Sequence, residues 1–327
     1  MSDSLFVEVP FEVQKPQDNL RLDLFLASRL KRYSRVQAQN LIREGRVFVR
    51  ERAPKASFRV RAGEIVLIRY PRQIEAECHF EELGVLYQDE DLLAVNKPAG
   101  ILSHPTDKSV KNTVTEILKR QFPDLKLHPV HRLDRETSGV LLLAKSREMA
   151  RILCEIFSAR RAIKEYHAIV IGEFPWKTKI VEVPIGREGL NIYSRQAAGL
   201  GVWAKTELKR LSLGKNFSLL AAFPKTGRLH QIRVHLAYLG YPIAGDKLYI
   251  NNGTAYLKAV EKTISDSDLK ELQAPRQMLH AFKLTLPHPR KDKPLQICAD
   301  WPKDFKAVLN SARISETIQE SVKALLK

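Results

Sequence analysis

The residues that could do chemistry concentrate in the segment from His131 to Gly139, which reads HRLDRETSG. Asp134 stands in this segment between two arginines, Arg132 and Arg135. A nearby guanidinium favours the ionised form of a carboxyl group, and an ionised carboxylate is what a nucleophile or a general base must be. Because a charged loop is more often only solvated, the segment by itself indicates a candidate carboxylate and no particular reaction.

The residues that follow this segment predict how Asp134 is positioned. Five apolar residues, VLLLA at 140–144, run from Gly139 to Lys145. A short apolar run that ends at a glycine and a charged residue is typical of a buried strand. The sequence therefore predicts that Asp134 lies in a loop delivered to the edge of a sheet.

Two later segments carry further candidate residues. Tyr166 opens the run YHAIVI, which predicts a strand. In PKTGRLHQIRVH at 224–235, the apolar residues near the end have helical spacing that continues beyond it. This spacing places Arg233 in the first turn of a helix and Arg228 in the loop before it.

Neither a nucleotide site nor a metal site is expected. The chain contains no G-x-G-x-x-G pattern and no P-loop pattern. His230 and His235 are five residues apart, on different helix faces, and no third ligand is evident. Arg160 and Lys164 follow a helix that Ser146 would open, and the role expected of these cations is to complement the helix dipole.

The composition indicates a polyanionic partner. In 327 residues, 54 Lys plus Arg stand against 37 Asp plus Glu, which leaves a formal net charge of +17. Such an excess favours nucleic acid or an anionic membrane surface, and no apolar run approaches the ~18 residues of a spanning helix. The first residues lack a signal-peptide core, so a cytoplasmic protein is expected. Cys78, Cys154 and Cys298 are scattered singly, which favours small core residues in a reducing compartment.

The excess charge is concentrated near the amino terminus. Residues 20–70 contain 13 Lys plus Arg and 4 acids, a local net charge of +9. Apolar periodicity predicts two helices here, the second capped by Ser34, and then two short strands. Lysine and arginine contacts to phosphate dominate nucleic-acid affinity. We therefore predict an RNA-binding module that includes Arg35, Arg43 and Arg46 among its contacts.

These segments resemble the signatures of one enzyme family. HRLDRETSG followed by an apolar strand is similar to the H-R-L-D-x-x-T-S-G signature of the RluA-type RNA pseudouridine synthases, and residues 20–70 resemble the S4 RNA-binding domain through RLDLFL, SRVQAQNLI and GRVFV. The resemblance covers nearly all of the chain. Five shorter motifs are similar to further motifs of that family: NKPAG at 96–100, KEY at 164–166, GRLHQIR at 227–233, LHA at 279–281 and HP at 288–289.

The resemblance implies a fold and a reaction. The fold is α+β, with a small S4-like module at about 20–70 followed by a mostly antiparallel-sheet pseudouridine synthase catalytic domain at about 80–310. The enzyme would be an isomerase that converts uridine to pseudouridine in structured RNA, ribosomal RNA ahead of transfer RNA, without a cofactor. In that reaction the N1–C1′ bond breaks, the uracil rotates, and C5 bonds to C1′. The oligomeric state is left open.

The resemblance also implies the catalytic roles. Asp134 would act on the ribose, as a nucleophile at C1′ or as a base at C2′, and the sequence leaves both routes open. Arg233 would pair with Asp134 and keep it ionised, with Arg228 as the reserve for that role. Tyr166 would stack on the uracil. A part for its hydroxyl in removing the C5 proton would need help from the environment, because an ordinary tyrosine has a pKa near 10.

Further expectations concern RNA contacts and alternatives. Arg132 would fill the gap left by the extruded uridine, and Lys97 would contact an RNA phosphate. One alternative is a non-catalytic RNA-binding or assembly protein that keeps the fold. Another is an RNA glycosidase or nuclease, for which Glu136 would be the second carboxylate. Residues 246–275 are polar and are expected to form a peripheral insertion.

Overall fold

The structure is a computed structural model, and its contacts divide the chain into two units, residues 1–75 and 76–327. Each unit has a hydrophobic core of its own. The predicted domain bounds, 20–70 and 80–310, stay predictions. The residues that the structure describes are 6–30, 35–71, 80–106, 111–187, 192, 195–260 and 263–314.

The amino-terminal unit packs two helices on a small antiparallel sheet. Leu22, Phe25 and Leu26 give the first helix one apolar face, and all three are fully buried against Ile68 of the central strand and its neighbours. The predicted cap of the second helix, Ser34, lies outside the described residues. In chain order the elements are β1 (Phe6–Glu12), a 3-10 turn (Lys15–Gln17), α1 (Leu22–Arg29), α2 (Arg35–Arg43), β2 (Val47–Val49) and β3 (Ile65–Pro71).

The second unit is built on one large sheet with helices against it. Its predicted strands before and after the candidate residues are present, as is the predicted helix that contains Arg233. In chain order the elements are β4 (Val85–Gln88), β5 (Leu92–Lys97), α3 (Val114–Gln121), β6 (His128–Pro129), β7 (Ser138–Ala144), α4 (Arg147–Ser158), β8 (Ile163–Ile171), β9 (Thr178–Glu182), β10 (Ile185–Arg187), β11 (Gln196–Ala198), β12 (Lys205–Gly214), β13 (Phe217–Pro224), α5 (Gln231–Tyr238), a 3-10 turn (Asn251–Gly253), α6 (Thr254–Val260), α7 (Asp266–Leu272), β14 (Leu279–Pro287), β15 (Pro294–Cys298) and α8 (Lys303–Ser311).

The sheet topology confirms the predicted mostly antiparallel architecture. The small sheet has the order β1-β3-β2, and the large sheet has the order β4-β5-β7-β14-β8-β13-β12-β9, with β6 on β7 and β15 on β14. Among the described strands, β7 and β14 pair in parallel and the other pairs are antiparallel. The sheet therefore brings β7, β14 and β8 side by side, although they are far apart in the chain.

Strand β7 is buried on both faces, which explains why five apolar residues occur in a row. Leu142 and its neighbours on one face pack in a core with α4, whereas Leu141 and Leu143 on the other face pack in a core with α3. Both helices begin at the expected kind of cap, since the Ser146 and Thr113 hydroxyls accept backbone N–H groups of their first turns. The loop that carries Asp134 therefore leads into a strand in which every residue is buried.

Gly139 lets this loop come close to β14. It pairs with Ala281 and has φ +111°, and a Cβ at position 139 would lie 2.2 Å from the Ala281 carbonyl oxygen. Any side chain there would force the two parallel strands apart. The glycine that ends the HRLDRETSG segment is thus required by the packing of two backbones.

The structure bears on two predictions that were made from composition, one about membrane-spanning helices and one about the cysteines. Within the described residues, no helix is long and apolar enough to cross a membrane. The prediction that the cysteines are core residues is wrong for Cys154, which is exposed on α4, while Cys298 is half-buried. Cys78 lies outside the described residues.

Candidate active site

The loop that carries Asp134 is held by buried polar contacts on both sides of this residue. Before it, the Ser103 hydroxyl donates to the Leu133 carbonyl at 3.1 Å and accepts from the Leu133 N–H at 2.9 Å. After it, Lys97 Nζ donates to the carbonyls of Arg135 at 3.0 Å and Thr137 at 2.8 Å. These contacts fix the backbone on which the Asp134 side chain is mounted.

The prediction that Lys97 contacts an RNA phosphate is wrong. Lys97 is 0% exposed, and its Nζ also donates to the Pro98 carbonyl at 2.8 Å. Burial lowers the pKa of Lys97 to about 7, against the opposing effect of the negative charge of Asp134. Three carbonyl acceptors match the three N–H groups of an ammonium, so this lysine acts as an internal clamp of the loop.

Arg233 connects Asp134 to a second, hidden acid. Its Nη1 lies 3.0 Å from Asp134 Oδ2, and its Nε and Nη2 each lie 2.7 Å from an oxygen of Asp246. The side chains of Arg233 and Asp246 are 7% and 0% exposed, whereas that of Asp134 is 22% exposed. Burial alone would lower the pKa of Arg233, but the two carboxylates raise it above its ordinary value. Arg228 does not form this ion pair, because its Nε donates to the Trp203 carbonyl.

Asp246 overturns the prediction that residues 246–275 are peripheral. Gly245, at φ +78°, passes so close to the Arg276 carbonyl that a Cβ would lie 1.7 Å from its oxygen. The next residue, Asp246, accepts from Arg233, and its Oδ1 also accepts the Leu248 N–H at 3.0 Å. The signal in the sequence was a single acid in the otherwise largely apolar stretch YPIAGDKLYI.

Tyr249 and His230 complete this side of the site. The guanidinium carbon of Arg233 lies 5.0 Å from the centroid of the Tyr249 ring, and the Tyr249 hydroxyl lies 3.0 Å from His230 Nδ1. His230 Nε2 is 3.9 Å from Asp134 Oδ2. Burial, and then the charge of Arg233, lower the pKa of His230 to about 4, so the imidazole is neutral at pH 7. The sequence alone assigns His230 no role beyond its place in the motif GRLHQIR.

Tyr166 lies on β8, across β14 from the strand that follows Asp134. Burial, and then the negative charge of Asp134, raise the pKa of Tyr166 above its ordinary value. The hydroxyl therefore stays protonated at neutral pH. The environmental help that a proton-accepting tyrosine would need is not provided here.

A cleft of about 980 Å³ brings the predicted catalytic residues together. Its walls come from residues 130–134, from the segment between α4 and β8, and from residues 223–233. Arg132 is exposed at the cleft. Of the site residues predicted in the second unit, those that line the cleft are Arg132, Asp134, Tyr166, Arg228 and Arg233.

No second carboxylate stands beside Asp134 in the described cleft. Glu136, the candidate for a glycosidase pair, accepts from Lys247 Nζ at 2.7 Å and from the Gln277 N–H at 3.2 Å. Its two oxygens are thus occupied away from the cleft. Among the described residues, no group of three or more His, Cys, Asp or Glu side chains could hold a metal ion.

The amino-terminal unit contains its own acid-centred cluster. Asp23 is 0% exposed, and its carboxylate accepts from Arg21 at 3.1 Å, Arg35 at 3.0 Å and Gln39 at 2.8 Å. Burial alone would raise the pKa of Asp23, but these donors lower it below its ordinary value. The Arg35 side chain is still 51% exposed.

The other two predicted RNA contacts of this unit are also accessible. Arg43 is exposed and donates to the Asn40 side chain at 2.7 Å. Arg46 pairs with Glu44 at 2.9 Å, with 38% of the Arg46 side chain exposed. Their contact with RNA stays a prediction.

Comparison with known proteins decides the family. The RNA pseudouridylate synthase family model matches residues 91–238, and the S4 domain model matches residues 20–66. A relative from Chloroflexus aurantiacus, described as an uncharacterized RNA pseudouridine synthase, is 38% identical over 88% of this chain and 89% of its own length. This chain belongs to the RNA pseudouridine synthase family.

Two further comparisons place this pseudouridine synthase among its relatives. The ribosomal large subunit pseudouridine synthase D of Nitrosomonas europaea is 32% identical over 90% of this chain and 85% of its own length. The solved structure of the human protein RNA pseudouridylate synthase domain containing 4 matches 71% of this chain and 94% of its own, with 27% identity and a TM-score of 0.56. The predicted enzyme class, an isomerase with an S4 domain, is confirmed.

Proposed function

We propose that this pseudouridine synthase isomerises a uridine of ribosomal RNA, with Asp134 as the catalytic carboxylate. The observation that carries the proposal is the cleft geometry, in which a partly exposed Asp134 is held by a buried Arg233 that Asp246 holds in turn. The relative named for the large ribosomal subunit supports ribosomal RNA as the substrate. We propose the cytoplasm as its compartment, since free cysteines suit reducing conditions.

Asp134 has one oxygen committed and one oxygen free. Oδ2 accepts from Arg233, and no described residue donates a hydrogen bond to Oδ1. The free oxygen would either form an ester bond to C1′ as the N1–C1′ bond breaks, or take the proton from C2′. In both routes the detached uracil rotates and C5 bonds to C1′, which breaks the ester bond in the first route and is accompanied by return of a proton to C2′ in the second. N1 gains a proton and C5 loses one, so that the product is an isomer of the substrate. The positive charge of Arg233 stabilises the ionised carboxylate in both routes.

The remaining cleft residues would position the base and the RNA. Tyr166 supplies an aromatic ring beside Asp134, and aromatic stacking is a common way to hold an unstacked base. A uridine inside a helix must be extruded before its C1′ can be reached, and the exposed Arg132 would fill the gap it leaves. The S4 unit adds Arg35, Arg43 and Arg46 for backbone phosphates.

The test is to map pseudouridine across all RNA of cells with and without this gene. We expect one or a few positions of large-subunit ribosomal RNA to lose the modification in cells without the gene. Wild-type protein should restore them and Asp134→Asn should not, although Asp134→Asn should keep most of the RNA affinity because it preserves size and loses only charge. Loss of pseudouridine in transfer RNA alone would replace ribosomal RNA as the proposed substrate and would leave the proposed reaction unchanged. An unchanged map, or Asp134→Asn activity within tenfold of wild type, would contradict the proposal.

A further inference from the structure

Lys164 lies in the cleft, and the proposed roles of the catalytic residues assign no function to it. It lies in β8, two residues before Tyr166, and both side chains line the cleft. Residues two apart on a strand share a face and are separated by roughly 7 Å. The expectation that Lys164 complements a helix dipole is wrong, because α4 has already ended at Ser158.

The ammonium of Lys164 has no partner in the described part of the chain. Lys164 is half-buried, and its Nζ makes no hydrogen bond or ion pair with any described residue. Burial lowers its pKa, and no acidic neighbour opposes that effect. A cation that is partly removed from water without a counterion carries a free-energy cost, which an anion brought into the cleft would offset.

The other cations of the cleft differ from Lys164 in this respect. Lys225 pairs with Glu207 at 3.2 Å, and Arg233 is held by two carboxylates. The guanidinium of Arg160 lies 5.5 Å from the centroid of the Trp203 ring. Arg132 and Arg228 are exposed to solvent, where a free charge costs little. Lys164 therefore combines partial burial with a missing anion.

The surroundings of Lys164 leave room for that anion. Gly227 stands opposite on the cleft wall, and a Cβ there would lie 3.9 Å from Lys164 Nζ, so the absence of a side chain keeps this space open. The neighbouring His131 is neutral at pH 7, because burial and the charge of Lys164 lower its pKa to about 3. Its Nε2 is already used as an acceptor for the Leu142 N–H. The open space therefore contains no competing negative charge from these neighbours.

We propose that Lys164 binds a phosphate of the RNA backbone next to the uridine whose base lies on Tyr166. The inference rests on the proposed function for the identity of that base. A lysine is a point charge with three donors, which suits a phosphate oxygen. With the base on Tyr166 and a phosphate on Lys164, the ribose between them is directed towards Asp134. Lys164 is in this sense a substrate-positioning residue that contacts the RNA.

The first experiment is a salt titration of RNA binding by the full chain, with a ribosomal RNA fragment as the probe. We expect Lys164→Met to weaken binding about tenfold and to reduce the slope of log Kd against log salt by about 0.7 to 0.9, the value for one phosphate contact. Lys164→Arg should bind nearly as wild type, which shows that the fold tolerates the position. The matched control is Lys215→Met, which removes an exposed lysine from the turn between β12 and β13.

The second experiment locates the phosphate. Neutral methylphosphonates replace, one at a time, the phosphates on either side of the modified uridine in a short RNA. We expect one of these replacements to weaken binding to wild type about tenfold and to leave binding to Lys164→Met unchanged, because the contact is already lost. The same replacement should weaken binding to Lys215→Met as it does to wild type.

Two outcomes would overturn the proposal. One is Lys164→Met with the wild-type salt slope, and the other is Lys164→Met with the wild-type sensitivity to every methylphosphonate. A slower single-turnover rate with unchanged affinity would assign Lys164 to proton transfer instead. The salt titration needs no turnover, so a wild-type protein that binds RNA but forms no pseudouridine would contradict the proposed function and leave the Lys164 contact standing.

Discussion

Each unit contains a cluster of acidic and arginine side chains. The arginine is the buried member of one cluster, and the acid is the buried member of the other. In the second unit, a buried Arg233 holds Asp134, whose side chain is 22% exposed. In the amino-terminal unit, a fully buried Asp23 holds Arg21 and Arg35, whose side chains are 37% and 51% exposed. The exposed member is the one that a ligand can reach. The second unit therefore offers a carboxylate, and the amino-terminal unit offers guanidinium groups.

We infer from this difference that burial, and not the type of pair, would separate the proposed catalytic role of one cluster from the proposed RNA-binding role of the other. In both clusters a carboxylate oxygen lies about 3 Å from a guanidinium nitrogen. The buried member sets the orientation of its partner, because a buried charge is costly unless it stays paired. A change in the buried member should then affect what its exposed partner does, catalysis in one unit and RNA affinity in the other.

The largest effect is expected for Arg233→Ala. It leaves Asp134 without its partner and Asp246 as a buried unpaired charge, so we expect the single-turnover rate to fall about a thousandfold. Arg228→Ala should have a much smaller effect, because Arg228 contacts the Trp203 carbonyl and not Asp134. Thermal unfolding of both variants checks that they fold. If Arg228→Ala proves the more damaging, the roles of the two arginines must be exchanged.

Asp246→Asn should separate orientation from binding in the second unit. Asparagine keeps the size of the side chain but weakens the hold on Arg233, so the direction of the Asp134 carboxylate becomes less defined. We expect the single-turnover rate at saturating RNA to fall about 10- to 100-fold, with an unchanged Kd. A change in Kd with an unchanged rate would remove the distinction drawn between the two clusters.

Asp23→Asn is the matching change in the amino-terminal unit, and the opposite outcome is expected. Arg21 and Arg35 lose the charge that orients them, so RNA binding should weaken roughly three- to tenfold, with a flatter salt dependence and a normal rate at saturation. The control is Glu44→Gln, since Glu44 forms an exposed pair with Arg46 that should contribute little. Equal effects of the two changes on Kd would show that burial of Asp23 has no special role.

The smallest effect concerns acid stability, which should also differ between the units. All nine histidines lie in the second unit. The pKa of His131 is lowered to about 3, whereas an unfolded histidine titrates near 6.5. Between these values the unfolded state binds a proton that the folded state does not, so stability is full above pH 6.5 and falls as the pH falls, by about 1.4 kcal/mol per pH unit for each such histidine.

His131→Asn removes this titration and keeps an acceptor for the Leu142 N–H. We expect the variant to lose less stability than wild type between pH 7 and pH 5, by about 2 kcal/mol at most. Denaturant unfolding followed at both pH values measures the difference. Equal losses in the two proteins would show that His131 does not contribute to the acid sensitivity of the second unit.

Much of the fold could be predicted from the sequence, because the residues that specify each helix or strand are neighbours in the chain. The apolar run at 140–144, the helical spacing after residue 231 and the apolar periodicity within residues 20–70 each correspond to observed elements. Asp134 and Arg233 could be chosen because contiguous motifs surround them. A motif consists of the residue types that one loop or turn requires. It can be identified without knowing which other strands and helices pack against that loop.

The sequence by itself thus determined the elements, the charge distribution and the candidate acid. Only the tertiary structure decided the partners, because a side chain's partner depends on which strands become neighbours. Asp134 and Arg233 are 99 residues apart in the chain, and Lys97 and Thr137 are 40 apart. Lys97 is an internal clamp because β5 pairs with β7, and Asp246 is the second acid of Arg233 in a segment whose Gly245 packs against the backbone of Arg276. The burial of charged side chains, which distinguishes the two clusters, also depends on which segments pack together. No single segment of the sequence predicts it.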